Sequence, residues 1–209
     1  MNLKTNVTRI IIFTNIFLYV LGLIITRTEN VLFMGTTIPR RINLIHEYGV
    51  QIGSDIAAGQ YWRLFTSIFL HANLMHLAFN CYFLFVCGEM VERIYGKLRF
   101  FIIYMLTGLA GNILSYFLLP LNVRSLGASG ACLGLGGILV VLLLDEKANF
   151  RRYFNNIWTF VGIIMFNVFY GFLFADLNIN NWAHLGGFLM GIVIGLYYSV
   201  KFRIQLQRD

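Results

Sequence analysis

Apolar residues in this chain fall into long runs, and most of the charged residues collect in the gaps between them. Six runs can be drawn, at about 7–26, 72–92, 98–119, 128–144, 156–175 and 182–200, each close to the ~20 residues a helix needs to cross ~30 Å of hydrocarbon. Helices apolar on every side are stable only when lipid or other helices surround them. The pattern predicts an all-α polytopic membrane protein, a six-transmembrane-helix bundle forming one domain over residues 1–209. Between the first two runs lies a first loop, 27–71, too long for a tight connection and too mixed in polarity for another span. Its Phe33, Ile38, Ile42, Leu44, Ile45, Tyr48, Tyr61 and Trp62 suggest a structured hairpin partly in the membrane interface, where amphipathic aromatics are favoured.

Composition agrees with the pattern. Of the 209 residues 58% are hydrophobic and 12% charged, which fits a membrane bundle far better than a soluble domain. No small-x-small cleavage site follows Ile25, so the first run reads as a retained span. Cys81, Cys87 and Cys132 fall inside predicted helices without disulfide or CxxC spacing and read as small buried apolar groups.

The net charge of +7 raises nucleic-acid binding, but the basic residues are dispersed among the segments between helices. Lys4, Arg9, Arg93, Lys97, Arg99, Lys147, Arg151, Arg152, Lys201, Arg203 and Arg208 all fall on one side if the N-terminus is inside. Only Arg27, Arg40, Arg41, Arg63 and Arg124 fall on the other. The positive-inside rule then places both termini in the cytoplasm, with the lipid bilayer, not nucleic acid, as the partner the charge serves. A multi-pass protein of the cell membrane is expected.

In that topology the second, fourth and sixth runs all begin at the outer face, and their starts carry His76, Ser129 and His184. Ionisable groups at membrane depth are expensive and persist mainly where they face a cavity or perform a task. Convergence at one depth therefore points to a water-accessible site that opens to the external side. Ala183, Gly187, Gly191 and Gly195 recur every four residues, and Gly130 and Gly134 repeat that spacing in the fourth run. Small residues at this spacing let two backbones approach closely, so the fourth and sixth helices are expected to touch, which would bring Ser129 to His184.

Nucleophilic acyl transfer fits these residue types. A serine hydroxyl needs a base within hydrogen-bond reach, and a tetrahedral oxyanion needs fixed donors. His184 is the candidate base. His76 and Asn80, four apart and thus on one helix face, are candidate donors beside the Ser129 N–H. His71 is five residues before His76 and, on a continuous helix, would point elsewhere; with no HExxH motif, a metal site is not expected. Glu89, Glu92, Asp145, Glu146 and Asp209 fall on the inner side and Glu29, Glu47, Asp55 and Asp176 in outer segments, so no carboxylate pair faces mid-membrane. Asp176 reads as a solvated loop residue, leaving a dyad.

The chain resembles the rhomboid intramembrane serine proteases. The resemblance rests on Gly127-Ala128-Ser129-Gly130, Ala183-His184-Leu185-Gly186-Gly187, the His71/His76/Asn80 block, Tyr61-Trp62-Arg63 and Gly88…Glu92…Gly96. It implies that Ser129 and His184 form the catalytic dyad, that His76 and Asn80 line the oxyanion hole, and that Trp62, Arg63 and Glu92 are structural. It implies as substrates single-span transmembrane proteins, cleaved at or just outside the membrane beside small residues, where the helix unwinds readily. No cofactor or metal is expected. In the family the fifth helix and the loop after it are thought to gate substrate access, which would engage Trp158, Phe166, Phe169, Phe172 and 175–182, although those aromatics read equally as lipid-facing bulk.

One position departs from the family pattern. Members commonly carry Tyr or Phe four residues after the serine, packed on the histidine; here it is Leu133. Loss of that ring-face contact would leave His184 less rigidly held. Two other classes compete with the protease. A catalytically inactive rhomboid relative that binds membrane clients would share the bundle but usually lacks the serine or histidine. A transporter would show paired interrupted spans near the midplane, and none is evident. The oligomeric state is not legible in the sequence.

Overall fold

The structure is a computed structural model that describes residues 6–26, 44–145 and 180–206. The protein is an all-α polytopic membrane protein. Long helices α1 (Val7–Thr26), α7 (Lys97–Leu118), α8 (Ser129–Leu144) and α9 (Asn181–Leu206) are joined by a helix built in three parts: α5 (Leu74–Phe83), a π turn (Leu84–Gly88) and α6 (Glu89–Tyr95). Four stretches are long and apolar enough to span a membrane: Val7–Ile25, Leu74–Tyr95, Lys97–Leu118 and Asn181–Ser199. Ser129–Leu144 is apolar but shorter. The expected fifth span at 156–175, with Asp176 and the gate aromatics, lies outside the described residues.

α8 occupies the centre. Leu135, Ile138, Leu139 and Leu143 are fully buried, as an all-apolar helix requires when helices rather than lipid surround it. α7 and α9 pack on it, and the contact is as close as backbones allow. A Cβ on Gly187 would overlap the carbonyl oxygen of Gly130, and one on Gly191 would overlap that of Gly134. The glycine faces expected to meet therefore do meet. At the far end Ser199 Oγ donates to Asp145 Oδ2, pinning the last turns of the same pair.

Helix α1 is fastened through its first turn, where backbone N–H groups have no acceptor within the helix. The Glu92 carboxylate supplies one. It accepts from Val7 N at 2.9 Å, Thr8 N at 2.8 Å and Thr8 Oγ1 at 2.6 Å. Glu89 beside it pairs with Arg9 at 3.0 Å and Arg93 at 3.3 Å. These contacts place the start of α1 and the α6–α7 junction at one end of the bundle. The starts of α5, α8 and α9 lie at the other.

The described part of the first loop is not a hairpin. It runs through α2 (Leu44–Gly49), α3 (Gly53–Ala57), α4 (Arg63–Thr66) and a 3-10 turn (Ser67–Phe69). Its strand β1 (Gln51–Ile52) pairs antiparallel not with a neighbour in the loop but with β2 (Arg124–Ser125), from the connection before α8. Local hydrophobicity could not reveal a partner over seventy residues away. Arg63 organises this segment. Its guanidinium is buried, donating to Val50 O at 2.7 Å and Gln60 Oε1 at 2.8 Å and pairing with Asp55 at 2.8 Å. Trp62 Nε1 donates to Tyr48 O at 3.0 Å.

Candidate active site

α5 starts where it does because Asn73, extended at φ −154°, turns its side chain to accept the His76 N–H at 2.8 Å, an N-cap bond that fixes the first turn. One turn further, Asn80 shares the face of His76 and is buried. Its Nδ2 has no hydrogen-bond partner among the described residues. A buried donor in that state costs on the order of 1–3 kcal/mol, and it suits a site where negative charge develops. The Asn80 carbonyl lies 3.8 Å from Cys132 Sγ, so this turn of α5 rests on the first turn of α8.

His71 does not point away from His76. The two rings meet edge to face with centroids 5.2 Å apart. The five-residue offset misleads because the helix begins only at Leu74, and helical phase does not apply before it.

Ser129 is the first residue of α8, and the approach to it is a constrained turn. Gly127 adopts φ +133°, a region that side chains disfavour. A Cβ there would lie 2.6 Å from His76 Cε1, 2.7 Å from His76 Nε2 and 3.6 Å from Ser129 Oγ. The His76 ring and the Ser129 hydroxyl thus flank one point, and only glycine leaves that point open. The turn is held from behind by Gly127 N–H donating to Ser67 O at 2.9 Å.

His184 sits in the first turn of α9, and its Nε2 lies 2.8 Å from Ser129 Oγ. The distance is that of a hydrogen bond, whose direction is set by the tautomer of the imidazole. It is delivered by the glycine contact one turn below, where Gly187 meets Gly130. Ser129, His184 and His76 are all partly exposed and Asn80 is buried, so the structure brings all four residues singled out in the sequence to one end of the bundle.

Leu133 lies on α8 one turn below Ser129 and is buried in a small cluster with Val140, against which Phe83, Leu185, Phe188 and Ile192 pack. Sequence reasoning missed the polar residues behind the site: Asn73, Asn180, Ser115, Ser125, Gln51 and Asn112. Two of them carried a readable signal, since Asn73 and Asn180 each fall within two residues of the start of an apolar run, near the position of a helix N-cap. Among the described residues no group of three His, Cys, Asp or Glu could hold a metal ion.

Comparison with known proteins bears on this geometry. Residues 58–201 match the rhomboid domain. The chain is 43% identical over 145 residues to Rhomboid protease GluP of Bacillus subtilis (strain 168), an overlap covering 69% of this chain and 27% of that protein. It is 33% identical over 157 residues to Rhomboid-like protease 1 of Toxoplasma gondii, covering 75% and 54%. It is 34% identical over 163 residues to RHOMBOID-like protein 1 of Arabidopsis thaliana, covering 78% and 41%. The chain therefore spans from about a quarter to about half the length of these curated relatives. The matched region runs unbroken through Trp62-Arg63, the His76 helix, the serine turn and His184, and on that extent the chain belongs to the rhomboid family.

Proposed function

We propose that this protein is an intramembrane serine endopeptidase in which Ser129 is the nucleophile, His184 its general base, and His76 and Asn80 the side-chain donors to the oxyanion. The observation that carries the reading is the 2.8 Å contact between His184 Nε2 and Ser129 Oγ, made across the starts of two separate helices. As Ser129 Oγ attacks the scissile carbonyl carbon, its proton passes to His184 Nε2. The carbonyl oxygen becomes an oxyanion beside the His76 ring, the Asn80 amide and the first N–H groups of α8, which have no acceptor within the helix. The C–N bond then breaks, the leaving amine takes the proton from His184, and an acyl-enzyme remains. Water, deprotonated by the same imidazole, releases the carboxylate product and restores the serine.

Helix length supports a recessed site. The 16 residues of α8 rise about 24 Å at ~1.5 Å each, short of a ~30 Å hydrocarbon core, so a helix whose inner end reaches the interface starts below the opposite one. With both termini cytoplasmic, Ser129 then lies beneath the external surface. A segment of substrate reaching that depth must unwind before its carbonyl is accessible, which favours single-span membrane proteins with small residues near the cut.

Purified protein in detergent, given a model single-span substrate, tests the reading. Ser129→Ala and His184→Ala should each abolish detectable cleavage, with the double variant no worse than either, because the dyad acts as a unit. Cleavage retained by Ser129→Ala overturns the mechanism. A folded wild type that binds such a substrate without cutting it turns the reading to a catalytically inactive client-binding protein.

A further inference from the structure

Asn180 stands immediately before α9 and engages four groups at once. Its Oδ1 accepts from Ala183 N at 3.0 Å, and its backbone carbonyl accepts from His184 N at 3.2 Å. Its Nδ2 donates to Ser115 Oγ at 2.6 Å and to Ser125 Oγ at 2.5 Å. The first pair shapes the turn that carries His184. The second reaches the end of α7 and strand β2, four residues before Ser129.

An N-cap needs only the Oδ1 acceptor, which serine supplies nearly as well as asparagine. The Nδ2 arm caps nothing; both of its hydrogens go to other elements. Behind it the polar chain continues: Gln51 Nε2 donates to Asn112 O at 2.9 Å, and Asn112 Nδ2 donates to Leu64 O at 2.7 Å and Ser67 Oγ at 3.0 Å. Ser67 in turn accepts the Gly127 N–H through its carbonyl. The serine turn is thus tied on both sides, through Ser125 to Asn180 and through Gly127 to Ser67.

We propose that Asn180 is a positioning residue that sets the spacing of the dyad, holding the first turn of α9 and the strand leading to Ser129 with one amide. The proposal rests on the reading of Ser129 and His184 as a catalytic pair. The glycine contacts fix how closely α8 and α9 approach, and the uppermost of them, Gly130 against Gly187 and Ala183, adjoins the dyad itself. Asn180, one turn before His184, adds to that frame the ties to α7 and β2 that the glycines cannot make. A displacement of 1 Å there is enough to cost roughly a hundredfold in rate.

The test compares wild type, Asn180→Ser, Ser125→Ala, their double variant and Ser129→Ala, all purified in detergent. It measures kcat and KM on a single-span substrate and the rate at which a fluorophosphonate probe labels Ser129. Asn180→Ser keeps the cap but is too short to reach both serines. It should lower kcat by roughly tenfold to a hundredfold, leave KM unchanged and slow labelling by the same factor, at a temperature well below its melting point. Ser125→Ala should show a smaller loss of the same kind, and the double variant should match Asn180→Ser. Full kcat in Asn180→Ser, or a loss confined to KM, overturns the proposal. So do additive losses in the double variant. If Asn180→Ser does not fold, Ser125→Ala decides, and wild-type kcat and labelling there overturn it. A wild type labelled no faster than Ser129→Ala removes the dyad itself, an outcome distinct from an active wild type with an equally active Asn180→Ser.

Discussion

At the scale of single residues, the site combines groups whose chemistry is common with positions that are not. The Asn80 Nδ2 donor is buried without a partner among the described residues, and the His76 ring lies against Gly127 at the serine turn; the proposed function gives both an oxyanion to hold. His76→Ala and Asn80→Ala should each lower kcat with little effect on KM. Loss of one oxyanion donor costs on the order of 10²–10³ in a serine protease, and the pair together should lose more than the sum. Unchanged turnover in both single variants and the double would make them packing groups only. Ser129, His184, His76 and Asn80 were legible in the sequence because ionisable and polar side chains stand out against runs of leucine, isoleucine and phenylalanine. Leu133 was legible as a departure, but its consequence was not, since packing depends on neighbours from α5 and α9. With Phe83, Leu185 and Phe188 around it, Leu133→Phe should overpack the cluster, lowering stability by about 1–3 kcal/mol and slowing cleavage. Faster cleavage at unchanged melting temperature would instead mean that His184 is loosely held.

At the scale of elements, the 2.8 Å contact between Ser129 and His184 rests on how closely α8 and α9 approach. A Cβ on Gly187 or Gly191 would lie 2.0 Å from a backbone oxygen of α8, whereas one on Gly195 would lie 2.9 Å from Val141 Cβ and 3.3 Å from Ile138 Cα. The overlap at Gly195 is therefore smaller, and it lies about two turns farther from the dyad than Gly187. Gly187→Ala should therefore part Ser129 from His184, abolish cleavage and lower the melting temperature, while Gly195→Ala should retain most of the activity. Equal effects, measured as turnover and thermal stability of the same preparations, would show that the contact does not set the dyad. The four-residue repeat of small residues was readable because helical phase is local. The β1–β2 pairing and the N-caps at Asn73 and Asn180 were harder. The pairing joins segments far apart in sequence, and a cap is visible only if the start of the helix is placed to the residue. The π turn at Leu84–Gly88 left no mark in an apolar run, where every register looks alike.

At the scale of the whole molecule, the two ends of the bundle differ in kind. One carries the Glu92 cap on α1 and the basic residues Arg9, Arg93, Lys97 and Arg99; the other carries Ser129, His76 and His184. Run lengths were enough to draw the long apolar helices that the structure describes, though not the short helices of the first loop, because run length follows from the thickness of a bilayer rather than from packing detail. The distribution of charge sets the orientation expected in a cell. Basic side chains are retained on the cytoplasmic face, so the end with Lys97 should face inward and the end with the serine turn outward. Exposed Asn122 lies in the turn between α7 and β2, and exposed Lys97 starts α7 at the opposite end. In a variant whose Cys81, Cys87 and Cys132 are replaced by alanine, Asn122→Cys should react with a membrane-impermeant maleimide in intact cells, and Lys97→Cys only after permeabilisation. The reverse pattern would place the dyad on the cytoplasmic side and require substrates cleaved near their inner ends. Labelling of both sites in intact cells would mean that the chain does not hold a single orientation, and the argument from charge would fail with it.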